Sequence, residues 1–222
     1  MNFTGKVIKR VVSDIIDSVH VIFEEDVQLI YSNTDTYVDI YASEIYVAKV
    51  FQNIDGGRSR CYTEYRNHMI AYSKFPEYTI PMHYYLIDNT SSCLIYERGF
   101  EIPDVEFEDN IESVIDVIQK FNDVGIFHLD TKPTNFLIGP NCNIVLHDWG
   151  LACTTKIFSN EIKEEIFLSQ LRLLFVIWNS DEPVELLEKY KARCIFGLSN
   201  DTIYTDEYFK RIEKIQDCYE LI

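Results

Sequence analysis

The first apolar pattern along the chain is a stripe at helical spacing over residues 6–20. Charged residues lie off the stripe, so the segment predicts an amphipathic helix. Such a helix either lies on a membrane surface or packs on a neighbouring sheet, and the mixed charge favours packing. The stripe consists of Val7, Ile8, Val11, Val12, Ile15, Ile16 and Val19.

Short apolar runs rich in β-branched and aromatic residues follow this stripe, and they predict a sheet. Two strands are expected over Val27–Ser32 and Tyr37–Ser43, and a third around Tyr46–Phe51. A further strand is expected within Ser92–Gly99, where it ends in a short turn.

Further helices are predicted by apolar stripes later in the chain. Gly56-Gly57 supplies a turn before the first, Asn122–Gly125 ends the second, and the third begins at Glu161. At 222 residues, the chain fits one compact unit. The stripes are Tyr62, Tyr65, Met69 and Tyr72; Ile111, Val114, Ile115, Ile118 and Phe121; and Phe167, Leu168, Leu171, Leu174, Phe175 and Trp178.

Composition restricts the partners and the compartment. A formal net charge of −16 disfavours nucleic acid and anionic membranes and favours basic peptides or proteins, although acidity also serves solubility alone. The six cysteines form no C-x-x-C pair, which argues against zinc and fits reduced intracellular thiols. No apolar run is long enough to span a bilayer and no signal-peptide core is visible, so we expect an intracellular, cytoplasmic protein.

The strongest chemical signal is a pair of motifs in the second half of the chain. His128 to Asn135 reads H-x-D-x-K-P-x-N, and Asp148-Trp149-Gly150 follows an apolar, strand-like run. Asp130 can accept a proton from an attacking hydroxyl, and Lys132 can neutralise a transferring phosphoryl group. Asn135 and Asp148 have oxygen ligands suited to Mg²⁺. The set predicts metal-assisted phosphoryl transfer.

These motifs resemble the catalytic loop and the metal-binding loop of eukaryotic-type protein kinases. The resemblance implies catalytic roles for Asp130, Lys132 and Asn135, and a Mg²⁺ or Mn²⁺ site at Asn135 and Asp148. The Lys after the catalytic Asp is similar to the serine/threonine branch of the family. The resemblance also implies ATP as the phosphoryl donor.

The resemblance extends upstream to further nucleotide-binding positions. Lys49 lies in a run similar to V-A-I-K and would bind the α and β phosphates. We expect its partner to be Glu64 rather than Glu44, because the glycine turn separates Lys49 from the helix that carries Glu64. Tyr96 would be the gatekeeper and, with Glu97, would belong to the hinge that holds adenine. The alternative is that this segment is only one more strand.

Two departures from the kinase pattern bear on activity. The glycine-rich loop of the family aligns with Asn33, Asp35 and Val38, so it contains no glycine, and Asp35 places negative charge near the phosphates. Leu129 replaces an arginine that commonly receives an activation-loop phosphate. The first departure predicts weaker nucleotide binding, and the second predicts activity without a phosphorylation switch.

The resemblance and its departures together imply a minimal, divergent kinase-like domain with an α+β fold. We expect an N-terminal helical extension over residues 1–26, an antiparallel-sheet lobe over 27–98 and a shortened, mainly helical lobe over 99–222, with MgATP between the lobes. The predicted activity is serine/threonine phosphorylation of a protein substrate. The alternatives are a pseudokinase that binds a cellular partner and a small-molecule phosphotransferase of the same fold. The trimmed second lobe is similar to small viral or bacterial-effector kinases.

Overall fold

The computed structural model describes residues 8–23, 27–54 and 56–154, and residues 163, 166–167, 169–171 and 173–174; of residues 8 and 104–108 it describes the backbone alone. The chain divides into two compact units. The first contains the described residues of 1–101 together with 137–150, and the second those of 102–136 and from 151 onward.

The first unit is built on a six-stranded sheet with the strand order β1-β5-β6-β4-β3-β2. β1 pairs with β5 in parallel, and the other neighbours are antiparallel. The antiparallel pairs β2–β3, β3–β4 and β5–β6 are joined by short connections, whereas long connections separate the antiparallel pair β4–β6 and the parallel pair β1–β5. The strands are β1 Ile8–Val11, β2 Gln28–Asn33, β3 Val38–Ala42, β4 Tyr46–Gln52, β5 Met82–Ile87 and β6 Ser91–Glu97.

Each face of this sheet carries one helix. α1, Ile15–Phe23, packs on one face, and α2, Gly57–Lys74, packs on the other. Because successive side chains of a strand point to opposite faces, Ala48 and Val50 of β4 join the α1 cluster, while Phe51 joins the α2 cluster. The central strands are therefore buried on both sides.

The prediction of a helix over residues 6–20 is wrong for Ile8–Val11, which form strand β1. These residues pair with the edge of β5, and exposed Val11 lies opposite Ile87 instead of joining a buried helical stripe. The helix begins only after Asp14, whose Oδ1 accepts a hydrogen bond from the N–H of Asp17 at 3.0 Å. From there the apolar stripe packs on the sheet, as the mixed charge of the segment predicted. Three of its side chains are buried. They are Ile15, Val19 and Phe23.

The other elements predicted for the first unit are present. The strands expected from Val27, Tyr37, Tyr46 and Ser92 are β2, β3, β4 and β6, with ends shifted by a residue or so. The glycine turn before α2 is also confirmed. Gly56 has φ +81°, and a Cβ on Gly57 would lie 1.8 Å from the carbonyl oxygen of Gln52. A side chain at Gly56 would therefore strain the backbone, and one at Gly57 would clash with Gln52.

The strands of a smaller sheet lie before and after the first motif in the sequence. Its strands have the order β10-β9-β7. The pairing of β7 with β9 is antiparallel, with Glu101 opposite Leu137. The strands are β7 Phe100–Glu101, β9 Phe136–Ile138 and β10 Ile144–Leu146. β10 leads directly into the second motif, Asp148-Trp149-Gly150.

The second unit contains α3, Asp104–Asp123, and an antiparallel pair of β8, Ile126–Phe127, with β11, Cys153–Thr154. The stripe predicted for α3 is its buried side. Within the third predicted helix, Phe167, Leu171 and Leu174 are helical, while Leu168, Phe175 and Trp178 lie outside the described residues. None of the helices in the described part of the chain has the length and apolarity that a membrane span requires.

The position of α1 depends on one carboxylate at the β5–β6 turn. Oδ2 of Asp88 accepts the N–H of Ile15 at 3.1 Å, and Oδ1 accepts the N–H groups of Thr90 and Ser91, each at 2.6 Å. Burial would raise the pKa of Asp88, but the hydrogen bonds from Thr90, Ser91 and Ile15 outweigh it, so the pKa is lowered.

We predict that Asp88→Ala lowers the free energy of unfolding by about 2 kcal/mol at pH 7, because three backbone donors lose their acceptor. A carboxyl with a lowered folded pKa stabilises above its unfolded value and loses that effect as the pH falls through the folded value. The difference from wild type should therefore shrink in acid. Denaturant unfolding at pH 7 and about pH 3 measures it, with exposed Asn89→Ala as the control. An equal loss at both pH values would contradict this role.

Candidate active site

Lys49 lies in the middle of β4 with its side chain on the face that carries α2. Its Cα is paired with Ile40 on β3 and with Leu94 on β6, so strands flank it on both sides. Its Nζ lies 2.8 Å from Oε2 of Glu64 and 2.9 Å from Oδ1 of Asp148. The side chain is only 16% exposed, so these carboxylates replace the water that an ammonium group would otherwise bind.

Glu64 is the partner that the sequence predicted for Lys49. It lies on α2 and is 2% exposed, whereas Glu44 is exposed on the turn before β4. Its second oxygen, Oε1, accepts a hydrogen bond from the hydroxyl of Tyr96 at 2.9 Å. Both oxygens of the buried carboxylate therefore have partners.

The electrostatics of this group follow from one cation between two carboxylates. Burial would lower the pKa of Lys49, but Asp148 and Glu64 outweigh it and raise the pKa, so the ammonium stays charged. Burial raises the pKa of Glu64, Lys49 opposes this, and Asp148 adds to it. With both acids ionised the group has an excess of one negative charge, which suits a site for a divalent cation.

Asp148 directly follows β10 and His147, in the left-handed region with φ +59°. Its side chain is 32% exposed. The next residue, Trp149, is fully buried, and its carbonyl oxygen accepts a hydrogen bond from Nδ2 of Asn67 at 3.1 Å. Asn67 lies on α2 about one turn after Glu64. The same face of α2 therefore contacts Lys49 through Glu64 and the second motif through Asn67.

Sequence reasoning missed Asn67. The signal that could have found it is its spacing, since a residue three positions after Glu64 must share its helix face. What the sequence does not show is that this face meets the backbone of Trp149.

The first motif forms a separate, internally bonded loop in the second unit. Oδ2 of Asp130 accepts from Nζ of Lys132 and from Nδ2 of Asn135, each at 2.9 Å. The same Nδ2 donates to the carbonyl oxygen of Asp130 at 2.7 Å. These bonds fix the amide of Asn135, so its Oδ1 is the atom that can bind a cation. An amide oxygen of this kind is a ligand that Mg²⁺ accepts.

A contact from a later helical residue anchors this loop. The hydroxyl of Thr131 donates to the carbonyl oxygen of Gln170 at 2.7 Å, and Nδ2 of Asn122, on α3, donates to Oε1 of Gln170 at 2.6 Å. All three residues are buried. Sequence reasoning did not find Gln170, because its local sequence carries no signal of this role.

The turn between β2 and β3, which aligns with the glycine-rich loop of kinases, is held by hydrogen bonds within the turn. Oδ1 of Asn33 accepts the N–H groups of Asp35 and Thr36 at 2.9 and 3.0 Å, and Nη2 of Arg60 donates to the carbonyl oxygen of Thr36 at 2.6 Å. Val38 is buried in the α2 cluster. The two amides are occupied by Asn33 rather than directed at a ligand. The nucleotide contacts expected at Asn33, Asp35 and Val38 stay predictions.

The segment expected to form the hinge is the end of β6. The N–H of Glu97 donates to the carbonyl oxygen of Pro81 at 2.8 Å, and the N–H of Arg98 donates to that of Ile45 at 2.7 Å. Thus the strand is confirmed, and an adenine contact at Tyr96 or Glu97 stays a prediction.

Comparison with curated proteins identifies relatives. No family model matches the chain. It is 28% identical over 80 residues to mitogen-activated protein kinase 5 of Arabidopsis thaliana, covering 36% of this chain and 21% of the relative. It is 23% identical over 100 residues to the putative cyclin-dependent kinase F-2 of Oryza sativa subsp. japonica, covering 45% and 31%. The chain is a distant homologue of protein kinases. It matches less than a third of the length of these kinases.

Comparison with solved structures found similar chains. This kinase homologue is similar to the bifunctional kinase-methyltransferase WbdD, with a TM-score of 0.47, 15% identity and coverage of 86% of this chain and 51% of that chain. A second WbdD structure, with the kinase inhibitor LY294002, has a TM-score of 0.49, 16% identity and coverage of 86% and 45%. The architecture is mixed α+β, with a mostly antiparallel N-terminal sheet followed by helices.

We predict that Lys49→Met destabilises the protein more at pH 8 than at pH 5. Without the ammonium, the already raised pKa of Glu64 must rise further. A carboxyl whose folded pKa exceeds its unfolded value of about 4.3 loses stabilising effect as the pH rises through the folded value. Loss of one partner of a buried pair costs about 3 kcal/mol at the higher pH.

Denaturant unfolding at both pH values checks this prediction, with Lys74→Met on the exposed end of α2 as the matched control. A pH-independent loss in Lys49→Met would show that the carboxylates do not depend on Lys49.

Proposed function

We propose that this chain is a serine/threonine protein kinase that transfers the γ-phosphate of ATP to a protein hydroxyl. The observation that carries the proposal is Lys49 held between Glu64 and Asp148 at 2.8 and 2.9 Å. A sheet does not need a buried ammonium group with two carboxylates in order to form. The arrangement does present a fixed cation that can bind phosphates and a carboxylate that can bind a metal.

The chain supplies each remaining role from a named side chain. Lys49 binds the α and β phosphates, and Asp130 orients the acceptor hydroxyl and takes its proton. Lys132, already bonded to Asp130, neutralises charge on the transferring group. Asp148 and Asn135 would hold Mg²⁺ or Mn²⁺, which when bound neutralises the nucleotide phosphates. Tyr96 and Glu97 would border the adenine, with Asn33, Asp35 and Val38 towards the phosphates.

A protein acceptor is supported by the kinase relatives and by charge. The chain has a formal net charge of −16, so basic segments are attracted at long range and nucleic acid is repelled. Lys132 in the H-x-D-x-K order supports a serine or threonine hydroxyl. A viral or bacterial-effector origin stays a prediction, since the two relatives named are plant kinases.

One observation favours a pseudokinase as the second candidate. The backbone amides of Asp35 and Thr36 are hydrogen-bonded to Asn33, and the carboxylate of Asp35 is exposed on the same turn. A turn of this kind gives phosphates fewer donors and more repulsion than a glycine-rich loop. The pseudokinase would bind a cellular partner through the kinase-like surface without phosphotransfer.

We expect ATP to raise the melting temperature only together with Mg²⁺ or Mn²⁺, because the carboxylates at Lys49 repel unneutralised phosphates. The shift should disappear in Asp148→Ala and persist in Asp116→Ala, which removes an exposed carboxylate from α3. Thermal unfolding with ATP in Mg²⁺ and in EDTA measures this. Equal stabilisation by ATP in EDTA would remove the metal from the account.

The proposed kinase works without an activation-loop phosphoswitch. Leu129 occupies the position of the usual phosphate-binding arginine, and it is 5% exposed with φ +63°. An apolar buried side chain cannot receive a phosphate. Of the residues that could carry one, Thr154 is in β11, while Thr155 and Ser159 lie outside the described residues.

Phosphatase treatment should therefore leave turnover within about twofold of its starting value, and so should the combined Thr154→Ala, Thr155→Ala and Ser159→Ala variant. Steady-state kinetics on both samples tests this. A large fall in turnover of the triple variant at unchanged melting temperature would show a phosphoswitch that acts through another cation.

A further inference from the structure

The carboxylate of Glu64 has two different partners, and only one of them is Lys49. Oε2 bonds to Nζ of Lys49 at 2.8 Å, and Oε1 accepts the hydroxyl of Tyr96 at 2.9 Å. With Glu64 only 2% exposed, water cannot replace either partner without opening the core. Tyr96 therefore contributes to where Glu64, and with it α2, is held.

The strand register explains why Tyr96 reaches Glu64. Tyr96 on β6 is opposite Val47 on β4, and Lys49 is opposite Leu94. Tyr96 and Lys49 are thus diagonal neighbours on the face of the sheet that packs on α2. Glu64 is bonded from both strands at once, so a displacement of α2 breaks two hydrogen bonds rather than one.

The surroundings keep the Tyr96 hydroxyl as a donor. Burial, together with Glu64, raises the pKa of Tyr96 well above its ordinary value, so the hydroxyl keeps its proton. The ring of His68, one turn after Glu64 on α2, lies 5.3 Å from the Tyr96 ring between centroids. Burial lowers the pKa of His68 to about 3, so it is neutral and does not compete with Lys49 for the carboxylate.

We propose that Tyr96 is a positioning residue that holds α2, through Glu64, in the place where Glu64 pairs with Lys49. This goes beyond its expected place beside adenine and gives a physical reason for a switch-free kinase, because the helix is fixed from within the first unit. The catalytic consequence rests on the proposed function. The bond from Tyr96 to Glu64 and its effect on α2 do not.

The test compares Tyr96→Phe with Tyr85→Phe by amide hydrogen exchange in the absence of nucleotide. Tyr85 is also buried in the α2 cluster, on the adjacent strand, and its ring stacks on Tyr65 of α2 at 4.8 Å. We expect the α2 amides around Glu64 to exchange about tenfold faster in Tyr96→Phe and unchanged in Tyr85→Phe. Equal exchange in Tyr96→Phe and wild type would overturn the proposal.

A second arm separates positioning from simple loss of packing. If Tyr96 acts through Glu64, Tyr96→Phe should add no further exchange in a Glu64→Ala background. Additive effects of the two substitutions would overturn the proposal. Glu64→Gln keeps one oxygen for the Lys49 ammonium and an amide N–H that can donate to the Tyr96 hydroxyl oxygen, so exchange should stay closer to wild type than in Glu64→Ala.

The catalytic arm distinguishes this proposal from the proposed function. Where wild type transfers phosphate, Tyr96→Phe should lower kcat/KM for ATP about tenfold and Tyr85→Phe should not. A wild type without turnover, combined with faster α2 exchange in Tyr96→Phe, would refute the kinase activity and still support the role of Tyr96. An unchanged kcat/KM in an active Tyr96→Phe would refute the catalytic consequence.

Discussion

A buried ammonium group is the constraint on which the first unit depends. Lys49 is placed in the middle of a sheet, where an unpaired charge would be very costly, so two carboxylates must reach it. One comes from α2 and the other from the turn after β10. Nζ of Lys49 thereby joins α2, β4 and the second motif. Tyr96 and Asn67 also connect α2 to β6 and to Trp149.

In the second unit, hydrogen bonds between side chains of the first motif hold the loop in shape. Asp130, Lys132 and Asn135 satisfy one another through hydrogen bonds of 2.7 to 2.9 Å. The loop is then fixed from outside by Thr131 on the carbonyl of Gln170. Preorganisation of this kind suits phosphoryl transfer, in which the protein mainly positions groups and stabilises charge.

Local patterns were sufficient for much of the fold. Apolar runs rich in β-branched and aromatic residues predicted β2, β3, β4 and β6, and apolar stripes at helical spacing predicted α2 and the core of α3. The pairing of Lys49 with Glu64 followed from the glycine turn and from resemblance. The N-terminal stripe misled over Ile8–Val11, since β-branched residues suit either structure and only the free edge of β5 decides between them. The contacts of Asn67, Tyr96 and Gln170 depend on how elements meet, which no local spacing reveals.

Phosphate transfer from radiolabelled ATP, to the protein itself and to a cell lysate, tests the central claim most directly. The account predicts Mg²⁺-dependent labelling of serine and threonine by wild type. It also predicts that Asp130→Ala keeps ATP affinity and loses labelling, because Asp130 acts on the acceptor hydroxyl and not on the nucleotide. Labelling by wild type that does not exceed that of Asp130→Ala on any acceptor would contradict the account and leave a pseudokinase.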